Sequence, residues 1–199
     1  MLLRKGAVLD QRGGERREPH RAEIGRRMDE LPRRRFRLRP ASDDDGHALL
    51  TLVSTVWAEY PTKKFDFAKD GPSYEGMASR YRAKEGDLWV VVDTDANQLV
   101  GSIGVVPAEG AGGMELQKLY VLASARGHNL GRILCNRVER FARMAGAAYV
   151  DLWSDVVLTH AHRLYEDLGY LRGADTRAYA DLSGTVRYYY RKEITPFLQ

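Results

Sequence analysis

Cysteine is nearly missing from this sequence: Cys135 is the single one among 199 residues, so no disulfide can form within the chain. That composition agrees with a reducing compartment, and a cytoplasmic location is the expectation. No run approaches the roughly 18 consecutive apolar residues of a membrane span, so no membrane partner is expected. The opening MLLRKGAVLDQRGGERR has no apolar core of the length a secretory signal needs. Metal-binding clusters are lacking too. His160 and His162 stand two apart, a spacing that points them different ways on a helix, and no Cys or acidic cluster completes a site. No internal repeat is visible.

What is present describes a soluble globular domain. Hydrophobic residues make up 44% and charged residues 29%, and the length suits one core. Positive charge is concentrated at the start, where eleven basic residues face six acidic ones before Phe36. That segment has few large apolar side chains and no sustained period. Residues 1–34 therefore read as a basic, disordered leader, either native or lying upstream of a start at Met28. The competing reading is an arm for nucleic acid. Residues 35–199 read as the functional domain.

Alternation in FRLRPAS marks a first strand, with Ser42 or Asp43 as the cap of a following helix. Leu49, Leu50, Val53, Val56 and Trp57 recur at helical spacing, and Tyr60-Pro61 closes that helix. TKKFDFAKDGP reads as a loop and PSYEGMASRYRAKEG as a weaker helix. LWVVVD, LVGSIGVVP and MELQKLYVL are three successive strands, with Gly101 and Gly104 marking a bulge or close backbone approach. Leu130, Leu134, Val138 and Phe141 form the stripe of a helix ending near Gly146. AAYVDLWS is a strand, THAHRLYEDLG a helix, and YLRG and TVRYYYRKEI are late strands, the last read as an edge available to a homodimer. The element order indicates a mixed α/β (α+β) sheet.

Between MELQKLYVL and its helix lies SARGHNLGRIL, residues 124–134. A strand entering a glycine-containing turn and then a helix leaves unpaired amides at the positive end of the helix dipole, an arrangement that binds phosphate. Gly127 and Gly131 permit close approach, Asn129 tolerates left-handed φ/ψ, and Arg126 and Arg132 attract a polyanion.

Together, ELQKLYV, RGHNLG and LYEDLGY resemble the GNAT superfamily of acetyl-CoA-dependent N-acetyltransferases, whose R/Q-x-x-G-x-G/A segment reads here Arg126-Gly127-His128-Asn129-Leu130-Gly131. Element order carries the resemblance over about Phe36–Ile194; its specific motifs lie within 115–170. Asn129 stands where the family usually has glycine, and Leu158 where many members have an asparagine that touches pantetheine. The resemblance implies a mostly antiparallel sheet of six to seven strands with about four helices and a V-shaped cleft between strands 4 and 5. It implies acetyl-CoA as co-substrate, with the amides of Gly127, His128, Asn129, Leu130, Gly131 and Arg132 on the diphosphate. Leu119, Tyr120 and Val121 would pair with pantetheine, and the Val121 amide would face the thioester oxygen.

By the same resemblance Tyr165 occupies the position of the general acid; its plainer reading is a core tyrosine. Glu115 matches a glutamate that serves some members as base through a water, or else it bonds a neighbouring strand. Asp87, Glu109, Asp151, Ser154 and Asp155 are lesser base candidates. Cys135, inside a helix with no base nearby, is not read as a nucleophile. Trp89, Tyr149 and Trp153 read as core aromatics. In RYYYRK, alternation divides aromatics and cations between two faces, which disfavours a nucleic-acid patch. In the superfamily the acceptor is chosen by the segments corresponding here to residues 57–82 and 172–190, whose mixture of aromatics, acids and arginines would accept a small polar amine with a carboxylate, and equally a peptide end. The expected activity is acetyl transfer to a small-molecule amine, with a protein lysine or N-terminal amine, or a non-catalytic acetyl-CoA sensor, as alternatives.

Overall fold

In the computed structural model, which describes residues 35–197, FRLRP forms β1 (Phe36–Pro40), antiparallel to β2 (Asp87–Asp93). The leader expected over 1–34 lies outside the described residues. Ser42 opens a capping box with Asp45, whose carboxylate also accepts two hydrogen bonds of 2.7 Å from Arg39. The acidic trio therefore makes a tight turn, and α1 follows at Gly46–Trp57. Its inward face is Leu49, Leu52, Val53 and Val56; Leu50, expected there, is only half-buried.

The stretch read as a loop contains one helical turn, α2 (Phe67–Asp70), because the Asp66 carboxylate caps the amide of Lys69. The second helix is shorter than expected. Gly76 adopts a left-handed conformation, and α3 covers only Met77–Ala83. Then β2, β3 (Gln98–Pro107) and β4 (Gly113–Val121) form an antiparallel meander. Its centre is dry: Leu88, Val90, Val91, Ile103 and Val105 are fully buried. The bulge foreseen near Gly104 is there. The β3/β4 register slips between Ser102 and Gly104, and a Cβ at Gly104 would lie 2.4 Å from the Tyr81 ring.

After α4 (Leu130–Met144), β5 (Tyr149–Asp155) lies parallel to β4; α5 (Thr159–Asp167), β6 (Leu171–Ala178) and β7 (Val186–Glu193) complete the fold. The order β1-β2-β3-β4-β5-β7-β6 gives seven strands, antiparallel except at β4/β5. Five helices are present among the described residues against about four expected, the addition being the single turn α2. Helix α1 packs on β3 and β4, and α4 on β3, β4 and β5. None of them is long and apolar enough to cross a membrane.

One expectation is overturned. The strand of TVRYYYRKEI is not an edge: β7 pairs with β5 on one side and β6 on the other, and its Tyr190 is 1% exposed. Both sides of its backbone are paired, so it offers nothing to a second copy. The edges are β1 and β6.

The parallel pair positions the site. Strands β4 and β5 are paired only from Gly113/Tyr149 to Leu116/Leu152, although each continues further. Lys118 departs from strand geometry with φ 55, and Ser102 Oγ donates to its carbonyl at 2.8 Å. That kink carries residues 119–121 away from β5 and opens a V.

Candidate active site

Asn129 adopts φ 60, ψ 15 and starts α4, as its tolerance of that region suggested. Gly127 has φ 83, and no atom lies within 4 Å of where its Cβ would sit. Among the described residues, no acceptor meets the amides of Gly127, His128, Asn129, Leu130, Gly131 or Arg132. Open space in front of a set of unpaired donors is what a phosphate needs.

Across a cleft of about 230 Å³ the turn faces the splayed end of β4. Leu119, Tyr120, Val121, Arg126, Gly127, Asn129, Leu130, Gly131 and Arg132 all line it, as does Leu158. The Leu122 amide donates to the Val100 carbonyl at 2.9 Å. Antiparallel pairs alternate between bonded and non-bonded, so the next pair, Val121/Gly101, is non-bonded and the Val121 amide faces the open side.

His128 packs its ring on Phe36, with centroids 5.0 Å apart, and its amide, the group expected on the diphosphate, meets no acceptor among the described residues. Arg126 is engaged by Glu59 through two hydrogen bonds of 2.7 and 2.9 Å, and its Nε donates to the Val121 carbonyl. Its guanidinium ties the turn to the end of α1 while standing in the cleft wall.

Helix α5 supplies Ala161 and Leu164 to the cleft. Tyr165 lies beneath them, 5% exposed, its ring packed against Tyr170 and Tyr190. Burial, with smaller contributions from Cys135 and Tyr120, raises its hydroxyl well above the usual phenol range, so it stays protonated at neutral pH. Tyr120 instead reaches the junction. It lines the cleft, a second cavity of about 200 Å³ inside the V, and a third of about 190 Å³ beyond it. Burial raises its hydroxyl also, opposed by a hydrogen bond with Trp57.

The closed end of the V holds two carboxyl groups in register, Glu115 on β4 and Asp151 on β5. Glu115 accepts from Gln117 at 3.0 Å, and Gln117 accepts from the Tyr81 hydroxyl at 2.9 Å. Asp151 accepts from the Tyr189 hydroxyl at 3.1 Å, while its Oδ1 is buried without a partner among the described residues. Burial pushes Asp151 up to about 6; the Tyr189 hydrogen bond opposes this and the charge of Glu115 adds to it.

The other candidates are engaged elsewhere or buried. Asp155 forms a buried ion pair with Lys63 at 2.5 Å. Asp87, at the start of β2, pairs with Arg82 of α3, and Glu109 with Arg177 at the surface. Ser154 is buried with its hydroxyl unpartnered among the described residues. Cys135 is fully buried, which pushes its thiol far up. His162 is buried with Nε2 at 3.0 Å from the Asp155 carbonyl, and burial lowers its pKa; His160 is on the cleft wall. No group of side chains among the described residues is suited to hold a metal.

The third cavity is built from the two segments assigned to acceptor choice. Residues 57–74 and 181–187 enclose it, held together where the Lys64 amide donates to Ser183 Oγ at 2.9 Å and Lys63 Nζ donates to Thr185 Oγ1 at 3.1 Å. Lys118 and Arg187 also line it; Arg187 falls in the segment read as choosing the acceptor without being singled out, and Lys118 was missed in the sequence. No spacing connects them, and regular alternation gives no sign of the kink that aims Lys118.

A family model described as acetyltransferase (GNAT) family matches residues 49–170, more than half of the chain. The chain belongs to the GNAT acetyltransferase family. It is 33% identical over 100 residues to the N-acetylaspartate synthetase of Danio rerio, a match spanning 50% of this chain and 34% of that protein. The chain thus covers about a third of that relative's length. It is 30% identical over 129 residues to the uncharacterized N-acetyltransferase YjgM of Escherichia coli, covering 63% and 76% of the two chains. A GNAT acetyltransferase structure from Staphylococcus aureus Mu50 superposes with a TM-score of 0.66 at 16% identity, covering 79% of this chain and 98% of that one. The yncA protein of Salmonella typhimurium, solved with its cofactor acetyl-CoA, gives 0.62 at 15% identity, covering 79% and 93%. These structural likenesses establish the GNAT fold.

Proposed function

We propose that this enzyme transfers the acetyl group of acetyl-CoA to the primary amine of a small molecule, by direct attack in a ternary complex. One observation carries the reading. The cleft bearing the unpaired amides of residues 127–132 meets a separate polar cavity at a single side chain, Tyr120. Bound acetyl-CoA supplies an activated thioester at that junction. The amides of residues 127–132 hold its diphosphate, and Leu119–Val121 pair with the pantetheine arm. The Val121 amide stabilises the negative charge that develops on the thioester oxygen. Glu115, with Asp151 beside it, takes the proton of the incoming ammonium through water. Tyr165, the acid that the family motif assigns, lies beneath the cleft wall and would supply the proton of the departing thiolate from there.

The acceptor cavity, about 190 Å³, is of a size that suits a small amine. The relative named N-acetylaspartate synthetase supports an amino-acid amine among the acceptors. The test is release of free thiol from acetyl-CoA across amino acids, polyamines, aminoglycosides and peptides. Tyr165→Phe is expected to lower kcat by about 10²-fold while calorimetric binding of CoA stays within about twofold. Tight CoA binding with no thiol released by any amine makes the protein a sensor. Absence of heat on adding CoA removes the reading altogether.

A further inference from the structure

Two cations stand where the V opens into the acceptor cavity. Lys118 and Arg187 each line both spaces. Among the described residues neither forms an ion pair: Lys118 Nζ lies over the Tyr74 ring at 5.2 Å and the Arg187 guanidinium over the Tyr179 ring at 4.5 Å. Of the other charges of this cavity, Lys63 is matched by Asp155, the Asp66 side chain caps α2, and Asp181 accepts from the amides of Ser183 and Thr185. Lys64 and Lys69 also line it without an ion pair among the described residues, but both are exposed to solvent, whereas Lys118 and Arg187 are partly buried. Asp70 is the acid that acts on Lys118 from the wall, without ion-pair contact.

Holding two unmatched positive groups together in a partly buried wall is unfavourable unless an anion joins them. Burial, then the charge of Arg187, lowers the Lys118 pKa, with Asp70 opposing. The backbone also departs from its preferred conformation to place Lys118 there, since φ 55 is unfavourable for lysine.

Resting on the acetyltransferase reading, we propose that Lys118 and Arg187 form the receptor for a carboxylate of the acceptor, so that the enzyme acetylates small amino acids and selects those whose carboxylate is free. Arg187 is suited to grip two carboxylate oxygens at once, and Lys118 adds a point charge. Glu115 lines the same V cavity as both cations. An acceptor anchored by its carboxylate therefore presents its amine next to the base.

The experiment compares thiol release for matched pairs, with glycine, aspartate and glutamate set against glycinamide, asparagine and glutamine, alongside putrescine and phosphoethanolamine. Aspartate and glutamate differ from their partners only at the side-chain carboxylate, and glycine from glycinamide only at the α-carboxylate, so the pairs also locate the group that is read. For at least one pair the acid should exceed its amide by about 30-fold or more in kcat/KM, mainly through KM. Arg187→Met and Lys118→Met should each bring that ratio to within about threefold. The charge-retaining Lys118→Arg and Arg187→Lys should keep much of the preference, separating recognition from a folding defect. Equal use of acids and amides, putrescine as the best substrate, or a preference for phosphoethanolamine overturns the proposal, as does a ratio unmoved by removing either charge. Those outcomes leave the acetyltransferase reading standing. Silence from every amine ends both.

Discussion

Asp151 shows how one residue couples stability to chemistry. Its carboxyl titrates near 6 in the folded protein against about 3.9 in an unfolded chain, mainly because burial disfavours the charged form. Between those two values the folded state holds the proton and the unfolded state has released it. Stability is therefore lost as pH rises from about 4 to 6, by an amount on the order of 3 kcal/mol at pH 7. Asp151→Asn removes this dependence. In urea melts, the variant's stability relative to the parent should improve by roughly that amount between pH 4 and pH 7. A constant difference across that range means that Asp151 is not held near 6. Glu115 and Tyr165 were singled out from their positions in a motif. Lys118 and Arg187 were not, because a cation pair drawn from β4 and β7 has no signature along the chain.

At the scale of an element, the turn from β4 into α4 rests on two different uses of the left-handed region. Gly127 has φ 83 and faces open space, whereas Asn129 has φ 60 at the first residue before α4. A side chain at 127 is strained by about 1–2 kcal/mol and also projects into the space in front of the amides. Gly127→Val should raise the Kd for CoA by at least about tenfold; Asn129→Gly, which keeps the turn, should change it by less than about twofold. Equal effects of the two substitutions in calorimetry would argue against the amide cradle. This turn was readable because its conformation depends on neighbouring residues. The place of β7 was not, since alternation in TVRYYYRKEI reports two faces and is silent about which strands lie on either side.

The whole molecule divides its sheet at the V, and a cofactor bound there would join strands that pair with one another at only four residue positions of β4 and β5. Binding to the folded state alone adds about 2.7 kcal/mol at a ligand concentration a hundredfold above Kd. For a chain of this size that corresponds to a rise in Tm of about 5–10 °C. Acetyl-CoA should produce that shift in calorimetric scans, and Gly127→Val should shrink it at the same concentration. An unchanged Tm at saturating acetyl-CoA contradicts binding in the cleft.

By itself the sequence determined most of the strands and helices, the turn between β4 and α4 and the family resemblance, because each depends on residues within a few positions of one another. Periodicity, caps and glycine placement act locally and can be read locally. The tertiary structure alone decided that Lys118, Arg187 and the Lys63–Asp155 pair share a wall, that Tyr120 rather than Tyr165 stands at the junction of the cavities, and that β7 is interior. Those facts arise from a kink in β4, from the partial pairing of β4 with β5 and from a returning hairpin. Each sets distances between residues far apart in the chain, which local spacing does not encode.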